Sequence, residues 1–200
     1  MAILVPEHQG DYIYILMSRK YKFKDNQQLY FITYAVVNWI DLFTRNEYKD
    51  ILLKSWQHYC EQKGLEVYAW AIMTNHVHMI IGSNKNPLED IVRDMKRHTS
   101  IELKKAIQQH PGESRKEWML WMMERAGKKN GNNAEFQLWQ QHNQPIELTT
   151  IEMLQQKLDY IHLNPVRAGI VDKEEEYLYS SARDYYFGKH CGLFKIIFIE

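Results

Sequence analysis

Two apolar runs, residues 65–72 and 76–81, are separated by only Met73-Thr74-Asn75. A link this short cannot carry a crossover, so the runs read as antiparallel strands of one sheet. The second run opens with Asn75-His76-Val77-His78. Side chains alternate along a strand, so His76 and His78 share one face while Val77 points to the other, where a core can take it. The hairpin therefore sets two imidazoles side by side on a sheet surface, which is half of a metal site.

The flanking segments complete the sheet. Residues 29–37 (LYFITYAVV) are rich in β-branched and aromatic side chains and predict a strand. Residues 46–63 predict a helix with Tyr48, Leu52, Trp56 and Tyr59 at helical spacing, Asn46 as its cap and Gly64 as its stop. Asn86-Pro87 opens another helix, with Pro at the first position, that runs to about Gln109. Residues 113–125 predict a further helix, 127–133 (GKKNGNN) a polar basic loop, and 134–141 a fourth strand. Thr149-x-x-Glu152 is a capping box for a helix carrying Ile151, Leu154, Leu158 and Ile161, closed by Asn164-Pro165. Residues 193–199 are a candidate last strand. The order β-α-β-β-α-(α)-β-α predicts an α+β fold, a ferredoxin-like split βαβ antiparallel sheet with a C-terminal helix appended.

A chain of 200 residues, 45% hydrophobic, suits one domain: an N-terminal arm at 1–28, a core at 29–165 and a tail at 166–200. The 25 basic and 25 acidic residues cancel, so net charge argues neither for nor against nucleic acid. The charge is not uniform, because ten basic residues face five acidic ones between positions 93 and 129. Cys60 and Cys191 make neither a disulfide framework nor a CxxC pair, which fits a reducing compartment. The first sixteen residues include Glu7 and Asp11 and lack a basic leader, and no run is long enough to span a membrane, so the expected location is cytoplasmic.

Two imidazoles without thiolates do not make a structural zinc site. With oxygen ligands added they suit Mg2+, Mn2+ or another ion in an open site. In Tyr160-Ile161-His162-Leu163-Asn164, Tyr160 and Asn164 lie four apart and so share a helix face. A phenol and an amide oxygen placed this way can supply a nucleophile and a ligand together. They can equally be a packed tyrosine and a helix-ending Asn before Pro165.

The chain resembles the single-tyrosine HUH transposases, most closely their REP-associated tyrosine transposase branch. The resemblance rests on residues 68–81 around Asn75-His76-Val77-His78, and on residues 159–171, Asp-Tyr160-Ile-His-Leu-Asn164-Pro-Val-Arg167-Ala-Gly-Ile-Val. Weaker matches are residues 95–98, 138–140 and Ser180-Ser181 with Tyr185. Together they run in order over about 17–190. Thr74 departs from the family's usual Pro before Asn75, and residues 1–16 lie outside the resemblance, which makes Met17 a candidate start.

The resemblance implies that Tyr160, on a catalytic C-terminal helix, attacks a phosphodiester of single-stranded DNA. A 5′-phosphotyrosine and a free 3′-hydroxyl would result. It further implies a divalent ion, Mg2+ or Mn2+, on His76, His78 and Asn164. Phosphate or base contacts are expected from Arg19, Lys20 and Lys22 in the basic–aromatic stretch 18–24, from Arg93, Lys96 and Arg97, and from Arg167. Trp118, Trp121 and Trp139 are expected in the core. The expected partner is single-stranded or hairpin DNA, and the tyrosine helix could serve its own chain or the other chain of a homodimer. A non-catalytic nucleic-acid-binding module on the same fold is the alternative. Rolling-circle initiators and relaxases share the histidine logic but usually carry a third His and further domains.

Overall fold

The computed structural model describes Phe23, Asp25 and residues 27–129, 135–141 and 145–199. Strands β1 (Tyr30–Ala35), β2 (Leu65–Ile72), β3 (His76–Ser83) and β4 (Ile146–Glu147) form one antiparallel sheet in the order β2-β3-β1-β4. This is the strand order of the expected split βαβ fold.

Helices α1 (Asn46–Lys63) and α2 (Leu88–Gln109) cover one face. Their apolar stripes pack on Tyr30, Ile32, Tyr34, Val77, Met79 and Ile81. On α1, Tyr48, Leu52, Trp56 and Tyr59 are all buried, as their spacing predicts. Gly64 ends α1 at φ 78°, and a Cβ there would lie 2.5 Å from the Cβ of Lys85, so only glycine fits. Helix α4 (Ile151–Arg167) lies on the opposite face. There Leu158 and Ile161 meet Phe31, Ala69, Ala71 and Ile80. A bulge in β2 between Val67 and Ala69 shifts the alternation by one, which turns Trp70 and Ile72 to the α1 side and leaves the small Ala69 and Ala71 under α4.

Several boundaries differ from those predicted. Arg45 rather than Asn46 occupies the N-cap of α1, and Pro87 is the N-cap of α2 rather than its first residue. Thr150, not Thr149, caps α4, its hydroxyl accepting from the Met153 amide at 3.2 Å. The expected strand at 134–141 is a single bridge, Trp139 to Val36, and the fourth strand is β4. Both pair with the same edge of β1, but two residues out of step, so one ladder cannot run through them. Residues 193–199 form no strand; Ile197 donates one backbone hydrogen bond to Val67 while Phe194 and Ile196 fill the core.

Helix α3 (Lys116–Lys128) starts and ends three residues later than predicted. It buries Met119, Met123 and Gly127, a stripe at i, i+4 and i+8 that turns Trp118 and Trp121 outward. These two are 51% and 53% exposed, whereas Trp139 is buried as expected. Among the described residues no helix is long and apolar enough to cross a membrane.

Candidate functional site

The hairpin places His76 and His78 where alternation requires, on the α4 face at the start of β3. Their Nε2 atoms lie 3.0 Å apart. The other nitrogen of each ring is engaged. Asp41 fixes the Asn75 amide by accepting from its Nδ2 at 2.9 Å. That leaves Asn75 Oδ1 facing His76 Nδ1 at 2.7 Å. A carbonyl oxygen can only accept, so the neutral His76 carries its proton on Nδ1 and presents a bare lone pair at Nε2. His78 Nδ1 lies 2.7 Å from the Thr33 hydroxyl, which can donate or accept and so serves either tautomer.

Both rings stay neutral at physiological pH. Burial lowers His76 to about 4, against an opposing pull from Asp41. Burial also holds His78 well below the ordinary imidazole range, and the nearby His76 and Lys157 push in the same direction.

Helix α4 delivers the second half. It does not stop at Asn164. Pro165 sits inside its last turn, and the helix ends in a Schellman motif around Gly169 at φ 68°. There Ile170 N–H donates to the Pro165 carbonyl and Gly169 N–H to that of Val166. The proline lacks only one helical donor, and the C-terminal motif satisfies the last carbonyls, so the turn carrying Asn164 keeps helical geometry. Tyr160 and Asn164 thus sit on successive turns of one unbroken face. The Tyr160 ring is 5.1 Å from that of His78, and Asn164 Nδ2 is 3.3 Å from His78 Nε2.

Three neighbours were not legible as site residues in the sequence. Phe31 stacks on His78 at 5.6 Å and meets Tyr160 edge-on at 5.8 Å. Lys157 Nζ lies 4.7 Å from the Phe31 ring centre and 5.6 Å from that of Tyr160, and burial lowers its ammonium. Thr33 holds His78. Lys157 had a signal, since it precedes Tyr160 by three residues on the same helical face. Phe31 and Thr33 had none beyond their place in a strand.

The remaining expected residues divide. The Arg167 guanidinium lies 6.0 Å from the Tyr160 ring centre, so it joins the site. Arg93, Lys96 and Arg97 are on α2, across the sheet from α4. Arg93 is exposed and paired with Asp90 and Asp94. Arg97 is exposed. Lys96 is half-buried, donates to the Gln140 carbonyl at 2.9 Å, and is lowered to about 7 by burial. Arg19, Lys20 and Lys22 lie outside the described residues. His162 turns away from the pair and meets the Ser181 hydroxyl at 2.8 Å.

The donor set fits a divalent ion. Two Nε2 atoms converge, and at most one of them can hold a proton between the two neutral rings. A neutral amide, whose oxygen and nitrogen ends exchange by a half-turn, lies beside them. Among the described residues no trio of His, Cys, Asp and Glu gathers, so the third protein donor would be Asn164. The Nδ1 partners Asn75 and Thr33 would orient the rings, as outer partners of metal-binding histidines commonly do.

Residues 27–135 match the family of IS200-like transposases. The match spans more than half of the chain, and the protein belongs to that family. No curated protein matches it. Among solved structures it is similar to a REP-associated tyrosine transposase bound to a REP hairpin, with a TM-score of 0.58 and 17% identity over 90% of each chain. At that identity the likeness is one of fold.

Proposed function

We propose that this protein cleaves and rejoins single-stranded DNA at hairpin-forming repeats, with Tyr160 as nucleophile. The observation that carries the reading is the convergence of Tyr160 and Asn164, from α4, on the His76–His78 pair. Membership of the IS200-like family supports strand transfer, and the fold shared with a hairpin-bound transposase supports hairpin DNA as the substrate.

The Tyr160 oxygen would attack the phosphorus of a phosphodiester. The bond to the 3′ oxygen breaks, leaving a free 3′-hydroxyl and a 5′-phosphotyrosine. The linkage keeps the energy of the broken bond, so attack by a 3′-hydroxyl reverses it and joins strands. A phenol is a weak nucleophile near neutral pH. The phenol loses its proton as it attacks and the departing 3′ oxygen gains one. Lys157, near the Tyr160 ring, would offset charge on the phenolic oxygen, and Arg167, near the same ring, would contact the phosphate. His76, His78 and Asn164 would hold Mg2+ or Mn2+. Such an ion, when bound, would supply positive charge to offset the charge developing on the phosphate. Helix α4 packs on the sheet that carries the histidines of the same chain, so the set can assemble without a residue from a second copy. On α2, Arg97 and Arg93 are the further candidates for backbone contacts with the hairpin, while Lys96 is tied to Gln140.

The test is incubation with a labelled hairpin carrying single-stranded flanks, in Mg2+ or Mn2+. A covalent protein–DNA adduct, absent in Tyr160→Phe, is the expected result. Hairpin binding with no adduct in either ion would instead establish the non-catalytic binding module.

A further inference from the structure

Three of the six tryptophans, Trp56, Trp70 and Trp139, are buried. Trp118 and Trp121 face outward from α3. Trp39 is 57% exposed, and its ring meets His76 edge-on at 5.8 Å. It therefore stands at the rim of the histidine pair.

Its backbone is unusual. Asn38 and Trp39 have φ of 55° and 54°, two consecutive residues with side chains in the left-handed region. Such geometry costs free energy at each residue, and most for a bulky side chain. Leaving an indole in water costs more. The surrounding contacts impose both. Val37 and Ile40 are buried on either side of the turn. Val36 N–H donates to the Asn75 carbonyl and Val37 N–H to that of Leu138, each at 2.8 Å. Trp39 N–H donates to the Val36 carbonyl at 3.1 Å, and its own carbonyl faces Asn75 Nδ2 at 3.5 Å. The residue that orients His76 thus also touches the turn that displays the indole. Strained, over-determined backbone of this kind clusters at ligand clamps.

We propose that Trp39 is a stacking platform for an unpaired DNA base beside the phosphate held at the histidine pair. The proposal rests on the reading of that pair as the phosphate-binding floor. An aromatic face next to a phosphate site matches the two halves of a nucleotide, and every base offers a π-face, so the contact binds single strands with little sequence preference. A paired base keeps its faces within the duplex stack, so the platform selects the single-stranded flank rather than the hairpin stem.

The experiment uses the full chain and hairpins whose flanking bases are replaced one at a time by 2-aminopurine. Binding to the wild-type protein is expected to quench the fluorescence at one flank position. Trp39→Ala should lose the quench and bind the flanked hairpin about tenfold to hundredfold more weakly, the range for one lost stack, with affinity for the bare hairpin unchanged. Trp39→Gly separates binding from folding, because glycine relaxes the left-handed backbone. It should melt at or above the wild-type temperature and still lose flank affinity. A lower melting temperature with flank affinity and quench retained would make the indole structural and overturn the proposal. The readout needs no cleavage. A wild-type protein that shows the Trp39-dependent quench but forms no adduct would sink the phosphotyrosine reading and leave the platform standing. A normal adduct with no Trp39-dependent quench would do the reverse.

Discussion

The Tyr160 ring lies 5.1 Å from that of His78 within a single chain, although one stands on α4 and the other on β3. The proposed nucleophile and the proposed phosphate floor thus belong to separately anchored elements. Helix α4 is fixed by Leu158 and Ile161, and the strand by its neighbours in the sheet. Changing a side chain at the floor should leave both anchors intact.

His76→Ala tests this separation. It removes one of the two converging Nε2 atoms while His76 contributes nothing to either apolar cluster. Adduct formation should fall by about a hundredfold or more, the scale of a lost metal-centred charge stabilisation. Affinity for the hairpin, measured by gel shift, should stay within a few fold. Equal loss of both would show that the histidine pair holds the fold rather than the phosphate.

The part of this arrangement carried by local pattern was legible in the sequence. Strand alternation put His76 and His78 together, helical spacing put Tyr160 with Asn164, and the succession of elements followed from the order of apolar segments, although the fourth strand lies at Ile146–Glu147 rather than at 134–141. What was hidden depends on contacts between distant segments. Asp41 fixes the tautomer of His76 through Asn75, and Thr33 reaches His78 across the β1–β3 pairing; neither has a motif. Pro165 reads as a helix stop, yet the cap at Gly169 lets the helix pass through it. Trp118 and Trp121 read as core by residue type, but the Met119–Met123–Gly127 stripe claims the buried face of α3.

Asn164 should act through the ion rather than through DNA. Asn164→Ala removes the amide beside His78 Nε2 and leaves both histidines with their Asn75 and Thr33 partners. The Mg2+ or Mn2+ concentration giving half-maximal adduct formation should rise about tenfold to hundredfold, with hairpin affinity unchanged. Asn164→Asp supplies a charged oxygen and should restore tight ion binding. An unaltered ion titration in Asn164→Ala would remove this residue from the ligand set.

Glu113 ties the starts of α1 and α3 together and should set part of the acid stability. It accepts from Arg45 Nε at 2.9 Å and Arg115 Nε at 3.0 Å, and its side chain is 1% exposed. Burial pushes its carboxyl up, but the hydrogen bonds from Arg115 and Arg45 outweigh this and bring it down to about 2. The folded state thus binds this proton less readily than the unfolded chain. The stabilisation is complete above the ordinary carboxyl range near 4.5 and disappears as pH falls toward 2. Glu113→Gln should cost about 3 kcal/mol at neutral pH, on the order of 10 °C in melting temperature, and flatten that limb. A melting temperature within a degree of wild type would mean the two arginines find equivalent partners.

His162 should govern a second, higher window. Its Nε2 meets the Ser181 hydroxyl, which accepts from the Trp70 amide at 3.0 Å, so the ring pins α4 to the edge of β2. Burial lowers it to about 4, against weaker pulls from Asp159 and Asp184. In the unfolded chain the ring takes up its proton near the ordinary 6.5, so between 6.5 and 4 the unfolded state binds more protons. Stability is therefore fully present above 6.5 and falls with pH through this window, by on the order of 3 kcal/mol for this ring. His76 and His78 titrate low as well, so the total slope does not isolate His162, but the difference from His162→Gln does. Urea midpoints from pH 7 to 4 should show the variant losing stability less steeply by about one proton. Parallel curves would mean that His162 is protonated with its fold intact, and that α4 is held over the histidine pair by its apolar contacts alone.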